Sequence, residues 1–238
     1  MSCELVMLFW TDGVPDSTRV RNCKFAWNYL QRLENIVKDS GVDISCRLID
    51  HSPEQIVVGD KVSHVPYPLG TYKRSEKINK ALNACKSDFF GIMDSDAFFH
   101  PSDEKKIIEL FKSLTKSNVY TFDMKDVVNY PEVINFKSNT MNVLDVEYAS
   151  RFPGHCKPGL GGFFISCTDT LRRKEGFNED FQTWGGEDGD CFSKMFDDPQ
   201  VYTHKVDLNL YHIPHFCDRE NILYFDREEY KRLNNLRD

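Results

Sequence analysis

The stretch Phe89–His100, FFGIMDSDAFFH, decides the fold. Its apolar run, Phe89-Phe90-Gly91-Ile92-Met93, stops abruptly at Asp94-Ser95-Asp96. A short apolar run bounded by polar residues is the pattern of a strand buried on both faces of a parallel sheet. Open α/β sheets bind ligands beyond the carboxyl ends of such strands, which is where the two carboxylates fall. An Asp-x-Asp pair there can hold a hard divalent cation through one or two carboxylates and leave positions for water and phosphate oxygens. Ser95 is small enough to let a ligand approach. Most such triplets are solvated turn residues, so the weight lies in the placement after a buried strand rather than in the triplet.

Working outward, Leu5–Trp10 reads as a first buried strand closed by Thr11-Asp12-Gly13. From Arg19 to Lys38, Val20, Cys23, Ala26, Trp27, Leu30, Leu33 and Val37 recur at helical spacing, and Gly41 ends the helix. Asp43–Ile49 is a second strand with Asp50 at its end, completing a βαβ opening. A short strand is expected near Val62–Val65 and a helix over Lys73–Lys86, whose polar face carries Lys73, Arg74, Lys77 and Lys80. Past the central strand the pattern predicts a helix over Pro101–Ser117 and a strand over Asn118–Asp123. The stretch Lys125–Lys157 reads as strands plus a long loop. Leu160–Ser166 reads as a strand, Asp169–Lys174 and Glu187–Phe196 as helices, Val201–Leu210 as a strand and Arg227–Leu236 as a charged helical tail.

Composition narrows the function classes. The 238 residues suffice for one large domain, and 40% hydrophobic with 28% charged residues is ordinary for a globular chain. A net charge of −7 argues against a general nucleic-acid binder. Eight scattered cysteines include no CxxC pair, which excludes zinc-finger spacing and suggests reduced core thiols. No signal peptide or membrane-spanning stretch is visible, so the expected location is cytoplasmic.

Two further clusters carry chemistry. In Gly176–Asp190, GFNEDFQTWGGEDGD, Trp184-Gly185-Gly186 sets a flat ring beside glycines, and Glu187, Asp188 and Asp190 open a helix. The helix dipole alone accounts for acids at that position. It does not account for the Trp and paired Gly, whereas an aromatic platform beside a carboxylate is a way to hold a sugar. The third cluster is His212-Ile213-Pro214-His215, where Pro214 excludes a regular helix and mixed Asp/His sets suit a borderline cation such as manganese.

Together these pieces resemble the glycosyltransferases of the GT-A fold, which place a DxD motif after a central strand. The carboxyl-terminal part, LGGFFIS followed by EGFNEDFQTWGGEDGD, is similar to that of β-1,4-galactosyltransferase and chondroitin-type enzymes. The amino-terminal half resembles the broader family-2 glycosyltransferases. The resemblance implies an α/β GT-A domain over 1–238, with a mostly parallel central sheet, a nucleotide-sugar half (1–123) and an acceptor half (124–238). It implies a metal-dependent, inverting transferase that moves a sugar from a nucleotide sugar, a UDP-sugar, to a glycan hydroxyl. Asp188 matches the general base; retaining relatives carry Asn there. Asp96 and His215 match the ligands of Mn2+ or Mg2+, with His212 as the alternative. Thr11, Asp50, Arg74 and Asp94 fall on the donor side, and Trp184, Gly186 and Glu187 on the acceptor side. Gly189 departs from the family pattern, where a third acid often stands.

The alternatives are specific. A sugar-nucleotide nucleotidyltransferase would carry a Gly-rich, basic phosphate loop after its first strand, unlike Thr11-Asp12-Gly13-Val14-Pro15. A dehalogenase-type phosphatase places its Asp-x-Asp on the first strand. A non-catalytic carbohydrate- or nucleotide-binding module is the non-enzyme reading.

Overall fold

The computed structural model describes residues 1–11, 18–67, 73–135, 137–138, 140–142, 145–150, 159–181 and 186–213. In chain order it contains β1 (Ser2–Phe9), α1 (Thr18–Asp39), β2 (Asp43–Asp50), β3 (Val62–His64), α2 (Arg74–Ala84), β4 (Phe89–Asp94) and β5 (Ala97–Phe99). After a single 3-10 turn come α3 (Glu104–Lys112), β6 (Asn118–Val127), α4 (Tyr130–Val133), β7 (Ile134–Asn135) and β8 (Thr140–Met141). The chain continues with β9 (Tyr148–Ser150), β10 (Gly159–Cys167), α5 (Thr168–Arg173), α6 (Glu187–Phe196) and β11 (Tyr202–His212).

Nine strands form one sheet in the order β3-β2-β1-β4-β10-β6-β11-β5, with β9 paired to β6; β7 and β8 make a separate hairpin. Strands β1, β2, β3 and β4 run parallel, and β10 runs against both β4 and β6. Because β10 reverses the direction twice, β6 and its parallel partner β11 point the same way as β4. Six strands therefore deliver their carboxyl ends to one edge. That edge carries Asp50, Asp94, Asp126 and His212 or lies within two residues of them.

The inner strands of the sheet are buried on both faces, as the apolar run Leu5–Phe9 of β1 shows. Cys3, Leu5, Met7 and Phe9 pack toward α1 and α3, while Val6 and Leu8 pack toward α2 and α6. A period of 2 thus serves two cores at once. In β4, Phe89 and Met93 join the first core and Phe90 and Ile92 the second. Gly91 between them is required by close approach. A Cβ there would lie 2.6 Å from Leu5 Cδ2 and 3.0 Å from the Phe164 carbonyl oxygen.

The helix α1 buries the expected stripe, Val20, Cys23, Ala26, Trp27, Leu30, Leu33 and Val37. Several elements differ from expectation: β5 was not expected, β11 runs on to His212, and two others differ in length. The helix expected over Pro101–Ser117 ends at Lys112, where Ser113 N–H is shared by the carbonyls of Glu109 and Leu110 and the Ser113 hydroxyl also donates to Leu110. The strand β6 runs four residues past Asp123, to Val127. The charged tail over Arg227–Leu236 lies outside the described residues. The six described cysteines, Cys3, Cys23, Cys46, Cys85, Cys167 and Cys191, are free thiols and buried. Among the described residues no helix is long and apolar enough to cross a membrane.

Candidate active site

The site forms where α2 and α6 start beside the end of β4. Arg74 opens α2 and is buried. A cation at a helix N-terminus opposes the helix dipole, so it needs anionic partners. It has three. Nη2 donates to Asp94 Oδ1 at 2.9 Å, and Nη1 donates to Glu187 Oε1 at 2.9 Å and Asp188 Oδ1 at 2.8 Å. One guanidinium therefore gathers the end of the central strand and the start of α6, residues far apart in sequence.

Local chemistry aims α6 at this point. Gly186 precedes the helix with φ +86°, a left-handed turn that a side chain disfavours, and it brings Glu187 and Asp188 round to Arg74. Upstream, Asn79 of α2 holds the approach by donating to the Phe177 carbonyl at 2.8 Å and accepting from Phe177 N–H at 2.9 Å. Among the described residues, Asp188 stands among like charges that share the Arg74 guanidinium. Burial pushes its carboxyl up to about 8, and the charges of Glu187 and Asp94 add to the rise against the lowering by Arg74. A carboxyl titrating near neutrality is suited to take up and release a proton.

The second member of the Asp-x-Asp faces a different neighbour. Asp96 Oδ2 lies 3.5 Å from His212 Nε2, and His212 Nδ1 lies 2.7 Å from Asp126 Oδ1. Ile213 N–H donates to the Asp96 carbonyl at 2.9 Å, and Asn22 Nδ2 of α1 donates to the Ile213 carbonyl at 3.0 Å. These backbone bonds fix the exit of β11 against the loop after β4. Among the described residues no three His, Cys, Asp or Glu side chains form a group that could hold a metal. The donor set that is present fits a borderline divalent cation: a carboxylate and an imidazole nitrogen facing each other. Two such acceptors repel at this distance unless a proton or a cation lies between them.

On the other side of the edge, Asp50 is fully buried and its carboxylate accepts from the backbone. Oδ1 takes Ser52 N–H at 2.9 Å, and Oδ2 takes Ile56 N–H at 2.7 Å and Val57 N–H at 2.9 Å. Thr11 N–H donates to Ser52 Oγ at 3.2 Å, tying the ends of β1 and β2 together. In this arrangement Asp50 shapes the loop after β2. The structure brings together Arg74, Asp94, Glu187 and Asp188, with Gly186 at the turn, and separately Asp96 and His212. Thr11 and Asp50 form a third group. Trp184 and His215 lie outside the described residues. Sequence reasoning missed Asp126 and the role of Arg74 as the hub of the carboxylates.

This architecture, with its Asp-x-Asp after the central strand, is the GT-A glycosyltransferase fold. A family model described as the N-terminal domain of galactosyltransferase matches residues 144–216. Comparison with curated proteins by sequence finds no match. Among solved structures, a mutant of Drosophila β1,4-galactosyltransferase 7 in complex with manganese, UDP-Gal and xylobiose is similar. It has a TM-score of 0.55 and 11% identity, covering 98% of this chain and 80% of that one. TarS 1–349 of S. aureus in complex with UDP-GlcNAc gives 0.55 and 16%, covering 98% and 64%. GalNAc-T7 with UDP, GalNAc and Mn2+ gives 0.56 and 11%, covering 90% and 44%. The chain thus spans less than two thirds of the TarS and GalNAc-T7 chains it matches.

Proposed function

We propose that the protein is a metal-dependent, inverting glycosyltransferase that moves a sugar from a UDP-sugar to a glycan hydroxyl. The observation that carries this reading is the convergence of Asp94, Glu187 and Asp188 on Arg74 at the carboxyl edge of the sheet. Asp188 is the general base that takes the proton of the attacking hydroxyl; its raised pKa suits that task. A base opposite the leaving group gives direct displacement and inversion. Glu187 binds sugar hydroxyls, and Trp184 and Gly186 are assigned to acceptor binding. Asp94 meets the donor, and Arg74 holds Asp94, Glu187 and Asp188 together on the same rim. Thr11 and Asp50, joined through Ser52, shape the part of the edge that receives the nucleotide.

Asp96 and His212, with His215 as the further candidate, would hold Mn2+ or Mg2+. When bound, the cation supplies Lewis-acid stabilisation of the departing diphosphate. Structures similar to this one were solved with manganese and UDP-sugars or UDP, which supports the assignment of donor and metal.

The test is UDP release from a panel of nucleotide sugars, with and without Mn2+, for the wild type and Asp96→Ala. Release from one donor that needs the metal and is lost in the variant is expected. Binding of sugars with no release from any donor would overturn the transferase reading in favour of a binding module.

A further inference from the structure

The proposed metal pair includes a histidine whose orientation has a cause in the sheet. Strand β11 pairs with β6 in two registers: Tyr202–Lys205 face Asn118–Thr121, and Asn209–His212 face Asp123–Asp126. Between them four steps of β11 run against two of β6, so the irregularity takes up two residues. Had the first register continued, His212 would face Val128. The slip sets it opposite Asp126, one of the few acids at that end of β6. It also keeps His212 on the same face, because the shift is even.

The contact that results is short: His212 Nδ1 to Asp126 Oδ1 is 2.7 Å. An ionised carboxylate only accepts hydrogen bonds, so Nδ1 carries the proton and donates it. That leaves Nε2 to face Asp96 at 3.5 Å. The imidazole side chain is 8% exposed, whereas Asp126 is 28% exposed, so the ring is held in the sheet edge from behind by a carboxylate that is itself solvated. A carboxylate behind an imidazole fixes tautomer and ring direction and raises the basicity of the opposite nitrogen.

We propose that Asp126 is a positioning residue that presents His212 Nε2, alongside Asp96, to a divalent cation. The inference rests on the metal reading of Asp96 and His212 given above. Asp126 tunes the preference of the site as well as its strength. An imidazole ligand favours Mn2+ over Mg2+, which prefers oxygen donors, so loss of the correctly turned ring lowers discrimination between the two ions.

Titration of the intact protein with Mn2+ and, separately, Mg2+ in the absence of any nucleotide tests this. The proteins are wild type, Asp126→Asn and Asp126→Ala, with His212→Ala as reference. Asp126→Ala is expected to weaken Mn2+ binding by about 10- to 100-fold, approaching His212→Ala, while Mg2+ binding changes far less. Asp126→Asn, whose amide oxygen can still accept from Nδ1–H, is expected to fall between the wild type and Asp126→Ala. Should the Ala variant fail to fold, a loss of Mn2+-over-Mg2+ preference in the Asn variant decides in its place. Unchanged Mn2+ binding in a folded Asp126 variant overturns the inference and leaves the metal reading standing. Equal weakening of both ions overturns it in the same way, since general loosening of the site would do that. A wild type that binds neither ion overturns the metal reading and the inference with it.

Discussion

Glu34 on α1 and Asp188 on α6 are both carboxylates withdrawn from water, and they are treated in opposite ways. Glu34 is wholly buried, and its Oε1 accepts from two lysines, Lys38 at 2.5 Å and Lys61 at 2.7 Å. Burial pulls its pKa up, but the two hydrogen bonds and their charges outweigh it and hold the carboxyl below the ordinary value. Asp188 shares a single guanidinium with two other carboxylates and is pushed up to about 8. Among the described residues the difference is the ratio of cations to carboxylates: two to one around Glu34 and one to three around Arg74. A surplus of cations makes a carboxylate a fixed structural anion. A deficit leaves it responsive to protons and to incoming positive charge, which is what a catalytic site needs.

The sharpest way to test that contrast is Asp188→Asn. It should reduce transfer by about 10²- to 10⁴-fold in a UDP-release assay, the usual worth of a positioned general base. The melting temperature should not fall, because one of the competing negative charges has gone. Arg74→Gln attacks the shared cation. Leaving Glu187 and its neighbours without their common partner should cost about 3–5 kcal/mol in denaturant unfolding, in addition to activity. Retention of wild-type stability would mean that the cluster does not depend on Arg74. Glu34→Gln should cost about 1–3 kcal/mol and leave UDP release unchanged at a temperature where the variant is folded. A loss of turnover there would break the division between structural and functional carboxylates.

The pH dependence of stability also differs in sign between the two sites. Glu34 has a folded pKa below its unfolded one, so its contribution is present above the unfolded value of about 4.3 and is lost as pH falls through the folded value. Asp188 has a folded pKa above its unfolded one. Its contribution is full below about 4 and is lost as pH rises toward 8. Asp188→Asn should therefore gain on the wild type as pH is raised from 5 to 8, and Glu34→Gln should show no such trend there. In the wild type, kcat/KM should rise over the same range as the free base forms, levelling above about pH 8.

The elements most legible in the sequence were those where one pattern had one cause. The helix α1 follows from the 3.6-residue spacing of its buried positions, and the strand β4 from an unbroken apolar run that stops at Asp94. The start of α6 at Glu187 was readable for the same reason. What escaped notice depended on partners far along the chain. The strand β6 was expected to stop at Asp123 because polar Asp123, Lys125 and Asp126 interrupt its apolar run. It continues because β9 and β11 supply hydrogen bonds on both sides. Asp126 was missed with it, and no local signal distinguishes it from Asp123. The strand β5 was hidden because Ala97-Phe98-Phe99 is too short to show a period. Arg74 did carry a signal. A cation at the first position of a helix is unfavourable alone, and that discord pointed to anions arriving from elsewhere. For Asp50, position at a strand end said where the side chain would be but not that three backbone N–H groups would claim it.

The order of the strands has a consequence for the solubility of the folded chain. The outermost strands of the main sheet, β3 and β5, are three residues each, and the branch strand β9 is also three. The long apolar strands β1, β4 and β10 lie inside, paired on both sides. An open edge is a template for adding another chain, and the stretches paired on one side only among the described residues, Asp43–Arg47 of β2 and Tyr202–Asn209 of β11, carry charged and polar side chains. The sheet can therefore keep six strand ends aligned for chemistry without exposing a long apolar strand for intermolecular pairing.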